Sequence, residues 1–275
     1  MKLLVLGGNG MAGHMITRYF KTCPGFSVYY TSRDASDLEA IQLDARDQAV
    51  LESVIDSLKP DFIINCVGIL NENANKNPID ALLLNSVLPH TLAKLADRCG
   101  GRLIHISTDC VFSGKKGDYE EHDPTDGEKV YGKTKALGEI VNSRHLTIRT
   151  SIIGPEIRGE GIGLMHWFMQ QTGEIKGFKR VFWNGVTTLE LAKVIQEMMK
   201  QNISGLYHLC VPEKISKYDL LRLFQDVFDK KDVVIHPDEK VVLDRSLKNN
   251  RTDFHYQVPE YKTMLLELRD WLNQQ

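Results

Sequence analysis

The sequence predicts an α/β protein built on a doubly wound parallel sheet, and the alternation of its elements supports that prediction. Through the first half of the chain, short apolar runs such as residues 2–7 and 61–68 alternate with amphipathic stretches. Runs this rich in Val, Ile and Leu are typical of parallel strands that helices cover on both faces. Ligands bind such sheets beyond the carboxyl ends of the strands, so we expect the chemistry at that edge.

The individual elements follow from local patterns and from their end signals. Strands are predicted at residues 2–7, 26–33, 61–68, 102–108, 145–151 and 205–210. Helices are predicted at residues 11–22, 47–60, 79–100, 131–143, 187–201, 217–230 and 261–274. Pro24, Pro60 and Gly100 stand where the first three of these helices are expected to end.

The composition of the chain changes after about residue 151, which predicts a second lobe. A glycine-rich loop at 154–163 precedes aromatic-rich stretches that begin at residue 164. The expected division is between a dinucleotide-binding sheet domain, 1–151 with 187–211, and a smaller C-terminal substrate-binding lobe, 152–186 with 212–275.

Bulk composition argues against several classes of protein. The formal net charge is −2, which does not favour a nucleic acid or an anionic membrane as the partner. The five cysteines form no CxxC pair and the histidines show no metal-ligand spacing, so neither a disulfide framework nor a metal site is predicted. The N-terminus does not resemble a signal peptide, and the apolar run 62–70 is too short to cross a bilayer. A cytoplasmic protein without a membrane segment is expected.

A glycine-rich turn right after the first strand predicts a Rossmann-type dinucleotide site. In GGNGMAG, the glycines Gly7, Gly10 and Gly13 fit a GxxGxxG pattern. The first two permit a tight turn close to a pyrophosphate, and the third permits close packing of helix on strand. The N-terminus of the following helix supplies partial positive charge. Other predicted cofactor contacts are Met11 and the last residues of the third predicted strand, Cys66, Val67 and Gly68.

The end of the second predicted strand, TSRD, bears on the choice of dinucleotide. Ser32 and Arg33 are suited to a 2′-phosphate, because a guanidinium binds phosphate through two hydrogen bonds. Asp34 could instead bind an unphosphorylated ribose, and Arg33 and Asp34 could both be solvated turn residues. We expect NADPH, with NADH tolerated. Further along, Asp44 is a candidate to accept from the adenine amino group, whereas Asp47 could equally cap a helix.

Tyr131 and Lys135 lie four residues apart at the start of a predicted helix and therefore on one face. The preceding strand ends in HISTDC, which brings Thr108 to the same edge of the sheet. Reducing a ketone requires a proton donor within about 3 Å of its oxygen. A neighbouring cation lowers the pKa of a tyrosine, and a hydroxyl can orient the carbonyl. The three residues are predicted to be catalytic; the alternative is a solvated surface pair and a strand-end threonine.

The motifs GGNGMAG, STDCVFSG, YGKTK and DRSL together resemble the extended short-chain dehydrogenase/reductases. The likeness is strongest to the dTDP-4-dehydrorhamnose reductases and related reductases of nucleotide-linked 4-keto-6-deoxy sugars, and it runs in order over nearly the whole chain. It implies catalytic roles for Thr108, Tyr131 and Lys135, with Lys135 also binding the nicotinamide ribose of NAD(P)H. It further implies that Asn85 supports the active site; the alternative is a polar residue that stabilises a kink before Pro89.

One departure from the family pattern concerns the residues after the catalytic threonine. Family members often carry a tyrosine where this chain has Cys110, which we interpret as a small buried thiol. Related dehydratases carry an Asp-Glu pair there, whereas this chain has Asp109 followed by Cys110. The missing glutamate favours simple reduction over dehydration.

Segments 183–192 and 244–251 resemble the substrate-side segments of the family. Arg245 is the preferred candidate for binding the substrate diphosphate through charge-assisted hydrogen bonds. Trp183 could stack on a base or a sugar, with a place in the core of the lobe as the alternative. Asp109 and Val111 complete the predicted substrate contacts.

The predicted function is the NAD(P)H-dependent reduction of the C4 ketone of a nucleotide-linked 4-keto-6-deoxyhexose. A UDP-linked 4-keto-6-deoxy-N-acetylhexosamine is slightly favoured over the dTDP-linked precursor of rhamnose. A second interpretation is a non-catalytic dinucleotide-binding subunit like the β subunit of methionine adenosyltransferase, and a third is a nucleotide-sugar epimerase. A homodimer is left open as the oligomeric state.

Overall fold

The computed structural model describes residues 1–157, 159 and 161–274. Its strands in chain order are β1 (Lys2–Leu6), β2 (Ser27–Ser32), β3 (Ile41–Gln42), β4 (Phe62–Asn65), β5 (Arg102–Ile106), β6 (Leu146–Arg149), β7 (Ile152–Ile153), β8 (Gly173–Phe178), β9 (Val181–Trp183), β10 (Val186–Thr187), β11 (Gly205–His208), β12 (Ile215–Ser216), β13 (Val233–Asp238) and β14 (Leu243–Asp244). Arg158 and Glu160 of the predicted glycine-rich loop, and Gln275 of the predicted C-terminal lobe, lie outside the described residues.

The helices alternate with these strands. They are α1 (Met11–Thr22), α2 (Gln48–Leu58), α3 (Asn71–Lys76), α4 (Pro78–Ala81), α5 (Leu88–Cys99), α6 (Val130–Leu137), α7 (Leu164–Met169), α8 (Thr188–Lys200), α9 (Lys217–Phe228) and α10 (Tyr261–Asn273). A π-helical turn, Leu82–Val87, joins α4 to α5, and a 3₁₀ turn, Asp109–Val111, follows β5.

Seven strands form one parallel sheet in the order β3-β2-β1-β4-β5-β6-β11. The chain winds outward from β1 in both directions, which is the doubly wound topology. The predicted fold class is thus confirmed. The edge strand β3 was not predicted, because two residues paired with Thr31 and Ser32 are too short to show a periodic pattern.

The sheet is buried on both faces by helices, as the apolar strands predict. Leu3 and Val5 of β1 pack in one cluster with α1 and α8. Leu4 and Leu6 pack in a second cluster with α2 and α5. Successive side chains of a strand point to opposite faces, so this continuous apolar run contributes to both cores. Burying each such side chain contributes about 1.5–3 kcal/mol.

The long helix predicted over residues 79–100 is interrupted by the π-helical turn. Pro89 has no N–H to donate to the carbonyl of Asn85, so the regular α-helical bond at that point cannot form. The N–H of Leu88 instead bonds the carbonyl of Leu83, five residues back. The widened turn leaves Asn85 fully buried, facing the interior of the sheet domain. Such turns occur frequently at functional sites.

Helix α6 ends at Leu137, earlier than the predicted end at residue 143. The following segment turns toward β6, where the hydroxyl of Thr147 donates to the carbonyl of Ile140 at 2.8 Å and accepts from its N–H at 3.0 Å. A side chain on strand β6 thereby takes over backbone groups that a longer helix would have bonded internally.

The C-terminal part of the chain forms smaller ladders covered by helices. β8 pairs in parallel with β13, and β9 lies between β12 and β14. Residues of α7, α9 and α10 form a common core with Trp183 of β9 and with Met15 of α1. The boundaries of the two predicted lobes stay a prediction. Over the ranges that the structure describes, no helix is long and apolar enough to span a membrane.

Candidate active site

The glycine-rich turn after β1 has the backbone geometry that only glycine supplies readily. Gly7 adopts a φ of +77°, which disfavours any residue with a Cβ. A Cβ on Gly13 would overlap the carbonyl oxygen of Gly7, so α1 can approach β1 this closely only without a side chain there. Gly10 occupies the N-cap position of α1, a helix of 12 residues. The turn and the positive helix end together fit the pyrophosphate of a dinucleotide.

The end of β2 places the predicted 2′-phosphate residues beside this turn. The side-chain amide of Asn9 donates to Ser32 Oγ at 2.9 Å, so the glycine turn and the strand end are tied together. Arg33 is exposed at the same end of the strand. The carboxylate of Asp34 accepts from the backbone N–H of Ser36 at 2.9 Å, which favours its interpretation as a turn residue.

Asp44, the predicted adenine contact, is engaged by its neighbour Arg46. The guanidinium donates to both carboxylate oxygens and lowers the pKa of Asp44 to about 2. Its adenine contact stays a prediction. Asp47 caps α2, because its carboxylate accepts from the N–H of Val50 at 3.1 Å.

The turn after β4 lies directly against the glycine turn. A Cβ on Gly7 would come within 3.1 Å of Val67 Cγ2. The N–H of Cys66 donates to the carbonyl of Leu6 at 3.1 Å, which aligns the two strand ends. Gly68 faces the side-chain oxygen of Asn85, 3.2 Å from where a Cβ would stand. The structure therefore brings these predicted cofactor residues to one edge of the sheet.

Asn85 connects this turn to the helix that carries the tyrosine and the lysine. Its side chain accepts from the N–H of Ile69 at 2.8 Å and donates to the carbonyl of Ile69 at 2.9 Å. It also donates to Thr134 Oγ1 at 3.0 Å. Because Thr134 precedes Lys135 on α6, the amide fixes the helix against the cofactor side of the sheet. The π-helical turn therefore places Asn85 where its side chain supports the active site.

Thr108 lies at the carboxyl end of β5 and is almost fully buried. Its hydroxyl caps the 3₁₀ turn by accepting from the N–H of Cys110 at 3.1 Å, and it donates to Asp109 Oδ1 at 3.1 Å. The side chain is therefore held in one orientation at the edge where ligands bind.

Close packing of α6 on this 3₁₀ turn brings Tyr131 to Thr108. A Cβ on Gly132 would overlap the carbonyl oxygen of Cys110, so the helix can lie this close only with glycine at that position. Gly132 stands inside the YGKTK motif between the two predicted catalytic residues, but nothing in the sequence around it marks it as a packing contact.

The pKa of Tyr131 departs from the sequence-based expectation. Burial raises the pKa of the phenol above its ordinary value, and Cys110 and Asp109 act in the same direction. A hydrogen bond with Thr108 acts in the opposite direction. We expected Lys135 to lower this pKa, but in the chain by itself burial outweighs any such effect.

Lys135 is buried beneath the same helix. Its Nζ donates to the carbonyl of Ile106 at 2.6 Å and lies 3.2 Å from His105 Nε2. Burial lowers the pKa of Lys135 to about 8, although the charges of Glu139 and Cys66 act to raise it. The lysine therefore titrates much closer to neutrality than an exposed one.

The predicted substrate residues differ in where their side chains lie. Arg245 is fixed beside the 3₁₀ turn, where its Nε donates to the carbonyl of Phe112 at 2.9 Å and Nη1 lies 3.7 Å from Cys110 Sγ. The side chain of Val111 is fully buried, so only its backbone can reach a ligand. Trp183 is 3% exposed, and its ring N–H donates to Ser151 Oγ. Its side chain therefore lies in the core of the lobe, which is the alternative given above.

Two residues that position this side of the site were not identified from the sequence. Asn184 fixes the segment after Arg245, because its side chain accepts from the N–H of Leu247 at 2.9 Å and donates to the carbonyl of the same residue at 2.7 Å. Lys217, at the start of α9, lies with its ammonium 5.8 Å from the centre of the Trp183 ring.

Lys217 adds a cation next to the predicted catalytic residues. Burial lowers the pKa of its ammonium, while the charges of Asp109 and Cys110 raise it, so those two groups face it. Within the described part of the chain, the ammonium makes no hydrogen bond or ion pair. In the sequence Lys217 is only the first residue of an amphipathic helix, so no local pattern marks it.

A buried ion pair supports the strand end beneath Thr108. Glu139 accepts from the hydroxyl of Ser107 at 2.8 Å and pairs with Arg149 at 2.7 Å. Both charged side chains are almost fully buried. Arg149 Nη1 also lies 3.2 Å from Nε2 of His208 on β11. The ends of three neighbouring strands are thereby joined.

Glu121 extends this network to the C-terminal segment. Its carboxylate accepts from the backbone N–H groups of His208 and Asn250, each at 3.1 Å. The segment that carries Arg245 is therefore joined to the sheet by buried polar contacts. Over the described ranges, no three His, Cys, Asp or Glu side chains come together as a metal site would require.

Comparisons with known proteins agree with this architecture. The spore coat polysaccharide biosynthesis protein SpsK of Bacillus subtilis is 26% identical over 214 residues, which cover 76% of this chain and 72% of the relative. Methionine adenosyltransferase 2 subunit beta of Danio rerio is 25% identical over 242 residues, which cover 83% of this chain and 74% of the relative.

A solved structure shows the same fold over nearly the whole chain. The dTDP-4-dehydrorhamnose reductase of Bacillus anthracis, in complex with NADP, has a TM-score of 0.84 at 19% identity, and the match covers 98% of this chain and 99% of that one. A family model described as the RmlD substrate binding domain matches residues 1–251. The chain therefore belongs to the RmlD family, and the resemblance to the extended short-chain dehydrogenase/reductases is confirmed.

Proposed function

We propose that this chain reduces the C4 ketone of a nucleotide-linked 4-keto-6-deoxyhexose with NADPH as the hydride donor. Its class is that of the NAD(P)H-dependent short-chain dehydrogenase/reductases. The observation that carries the proposal is the convergence of Thr108, Tyr131 and Lys135 at the same sheet edge as the glycine turn. We place the reaction in the cytoplasm, where such cofactors and sugars are available.

The described side chains can divide the work of such a reduction. The nicotinamide cofactor supplies hydride to the ketone carbon when it is bound. The hydroxyl of Thr108 orients the ketone oxygen, and the phenol of Tyr131 donates a proton to it as negative charge develops. Lys135 binds the nicotinamide ribose from below the helix. The raised pKa of Tyr131 keeps the phenol in its protonated form before hydride transfer.

The preference for NADPH rests on the end of β2. Ser32 and Arg33 lie next to the glycine turn, where a 2′-phosphate would stand, and Asp34 is occupied with its own turn. A guanidinium at this position stabilises the extra phosphate, whereas a carboxylate would favour the bare ribose. NADH remains a weaker alternative donor.

The substrate side supports a phosphate-bearing sugar. Arg245 and Lys217 place two cations around the 3₁₀ turn that follows Thr108. Two cations suit the diphosphate of a nucleotide sugar. We favour a UDP-linked 4-keto-6-deoxy-N-acetylhexosamine over a dTDP-linked 4-keto-6-deoxyhexose, on the sequence of residues 167–192.

The first test follows NADPH consumption with UDP-4-keto-6-deoxy-N-acetylglucosamine and with dTDP-4-keto-6-deoxy-L-mannose in parallel. Turnover of the first substrate alone supports the amino-sugar proposal. Turnover of the second alone overturns that preference while it keeps the 4-ketoreductase. An absence of turnover with both, in protein that binds NADPH, contradicts the proposed reductase. NAD⁺ retained through purification would indicate an epimerase instead.

A non-catalytic subunit is the second candidate, because a methionine adenosyltransferase β subunit is among the relatives. The intact set of Thr108, Tyr131 and Lys135 weighs against it, since a purely regulatory chain does not require a buried proton donor. Copurification with a partner enzyme, together with an absence of ketone reduction, would favour this candidate.

We propose a homodimer formed through an apolar face next to the active site. The π-helical turn and α6 are neighbours, and they expose Leu82, Leu83, Val87, Leu137 and nearby Val141. Exposed apolar patches of this kind mark interaction sites. Because a homodimer repeats one patch on both subunits, a single face can serve both partners.

Sedimentation velocity tests the dimer. We expect a dimeric wild-type chain and a monomeric Val87→Lys variant, because a lysine in the centre of the face places a charge in the interface. Val234→Lys, at an exposed position on β13, is the control and should stay dimeric. A monomeric wild type would contradict the proposal.

A further inference from the structure

His105 lies between Lys135 and the buried side chain of Asn65. The direction of each hydrogen bond in this series follows from which atoms can donate. The N–H of Val67 donates to Asn65 Oδ1 at 3.1 Å. A backbone N–H can only donate, so the side-chain oxygen of Asn65 must face it. The amide NH₂ of Asn65 therefore faces His105 Nδ1, at 3.1 Å. Asn65 and His105 are both fully buried, so water cannot take the place of either partner.

The orientation of Asn65 determines the tautomer of His105. Because the amide donates to Nδ1, that nitrogen must offer its lone pair, and the proton of a neutral ring lies on Nε2. Burial is the largest cause that lowers the pKa of His105 well below its ordinary value, and it acts whether or not Lys135 is charged; the charge of His90 acts in the same direction. A neutral ring is therefore the relevant form, and its Nε2–H points at Lys135 Nζ, 3.2 Å away.

The donor on His105 selects between the two protonation states of Lys135. An ammonium has only N–H donors, so Nε2–H would meet it as donor against donor. A neutral amine offers one lone pair to Nε2–H and still donates to the carbonyl of Ile106 at 2.6 Å. One further N–H then remains for a ligand. A hydrogen bond to the neutral form disfavours the charged form.

We propose that Asn65 and His105 act as positioning residues that hold Lys135 as an uncharged amine in the chain without ligands. The lysine would then take up a proton when a negative group arrives, so its charge becomes part of the catalytic cycle. The consequence for catalysis rests on the proposed function, whereas the protonation state itself does not.

Other charged groups around Lys135 oppose this arrangement. Glu139 lies two residues beyond the end of α6, and Cys66 lies in the turn after β4; both raise the pKa of the lysine. Tyr131, one turn before Lys135 on the same helix, is kept neutral by burial. The described surroundings therefore contain two groups that favour the ammonium, against which burial and the His105 donor act together.

Nitrogen NMR of the full chain tests the tautomer without any substitution. We expect the ¹⁵N shifts of His105 to show a protonated Nε2 and an unprotonated Nδ1 near neutral pH. A proton found on Nδ1 would overturn the proposal, because Nε2 would then accept from a lysine ammonium. Assignment uses loss of the signal in His105→Gln.

An isosteric substitution tests the effect on Lys135. In Asn65→Asp the carboxylate still accepts from Val67 and also accepts from Nδ1–H, so the tautomer reverses and Nε2 accepts from Lys135. We expect the pKa of the lysine, followed by the ¹⁵Nζ shift and assigned with Lys135→Met, to rise by about one unit or more. An unchanged pKa in this variant would overturn the proposal.

Asn65→Leu separates the donor effect from burial and from added charge. Leucine is close in volume and leaves the tautomer unconstrained, so we expect a smaller rise of the lysine pKa in the same direction. If burial alone lowers this pKa, leucine will leave it unchanged or lower it further, which would contradict the proposal. As a catalytic readout, the basic limb of kcat/KM should shift upward by the same amount in Asn65→Asp.

Discussion

At the scale of single residues, Tyr131 shows how burial and catalysis pull in opposite directions. A buried phenol holds its proton tightly, which suits a donor before the reaction but slows its release. Release becomes favourable only when negative charge develops on an acceptor oxygen beside it. The hydroxyl of Thr108 forms a hydrogen bond with the phenol that acts to lower its pKa, so this group is placed to assist at that moment.

Replacing Tyr131 with phenylalanine should lower kcat at least about a hundredfold, because a positioned acid contributes about 10²–10⁴-fold. The affinity for NADPH should stay within about twofold, since the hydroxyl is not part of the glycine turn. Steady-state kinetics and cofactor fluorescence measure the two quantities. Tyr29→Phe, at an exposed position on β2, is the control. A kcat within tenfold of wild type in Tyr131→Phe would contradict the assignment.

Replacing Lys217 with methionine should raise the KM for the nucleotide sugar about tenfold and change kcat little, because the proposed contact is to the diphosphate and not to the ketone. Lys231→Met provides a matched control, since that lysine is exposed and pairs with Asp229. Equal KM values for the two variants would show that Lys217 does not contact substrate.

The residue types that carry the chemistry could be predicted from the sequence, whereas several positioning residues could not. Gly7, Thr108, Tyr131 and Lys135 stand in motifs whose spacing has a direct geometric meaning. Lys217 is more than 80 residues from any of them and reaches the site only through the packing of α9. Contacts between segments so distant in sequence leave no local pattern.

At the scale of elements, the packing of α6 on the 3₁₀ turn determines where Tyr131 stands. Gly132 is the point of closest approach, because its missing side chain leaves room for the carbonyl of Cys110. The distance between helix and turn is therefore controlled by a residue that performs no chemistry.

Gly132→Ala should displace α6 and lower both stability and kcat. The added methyl would overlap backbone, which cannot rotate away, so we expect a loss of about 1–3 kcal/mol in the free energy of unfolding. The kcat should fall at least tenfold, since small displacements of catalytic groups are costly. Urea denaturation and kinetics measure both. Gly159→Ala, where the described part of the chain has no atom within 4 Å of the added carbon, should match wild type.

The boundaries of elements show where local prediction fails. The pattern of residues 79–100 is continuously amphipathic. That pattern cannot show whether a backbone N–H bonds the carbonyl four residues back or the one five residues back. Pro89 indicates a possible kink, but the bond from Leu88 to Leu83 and the burial of Asn85 depend on contacts with α6. The strands of the sheet were easier to predict, because burial on both faces leaves long apolar runs.

At the scale of the whole molecule, buried thiols make stability depend on pH. Burial raises the pKa of Cys66, Cys110 and Cys210 to about 12 each. In the unfolded chain a thiol ionises near 8.5. Between these values the unfolded state has released protons that the folded state retains, so unfolding becomes more favourable as the pH rises.

The free energy of unfolding should therefore fall between about pH 9 and pH 11, by up to about 1.4 kcal/mol per pH unit for each thiol. Lys135, whose pKa is lowered to about 8, opposes this trend between pH 8 and about 10.4. Urea denaturation across this range measures the slope. Replacing Cys66, Cys110 and Cys210 together with alanine should flatten it. An equal slope in that variant would contradict the explanation.

The buried pair of Glu139 and Arg149 has a consequence for how this sequence can diverge. Losing one member of a buried pair costs about 3–5 kcal/mol, because the other charge stays behind without its partner. A typical domain has only about 5–15 kcal/mol in total, so a single-step replacement is poorly tolerated. Homologous chains are expected to keep both charges or to exchange both for apolar residues. These two positions should therefore change together, whereas nearby surface positions vary independently.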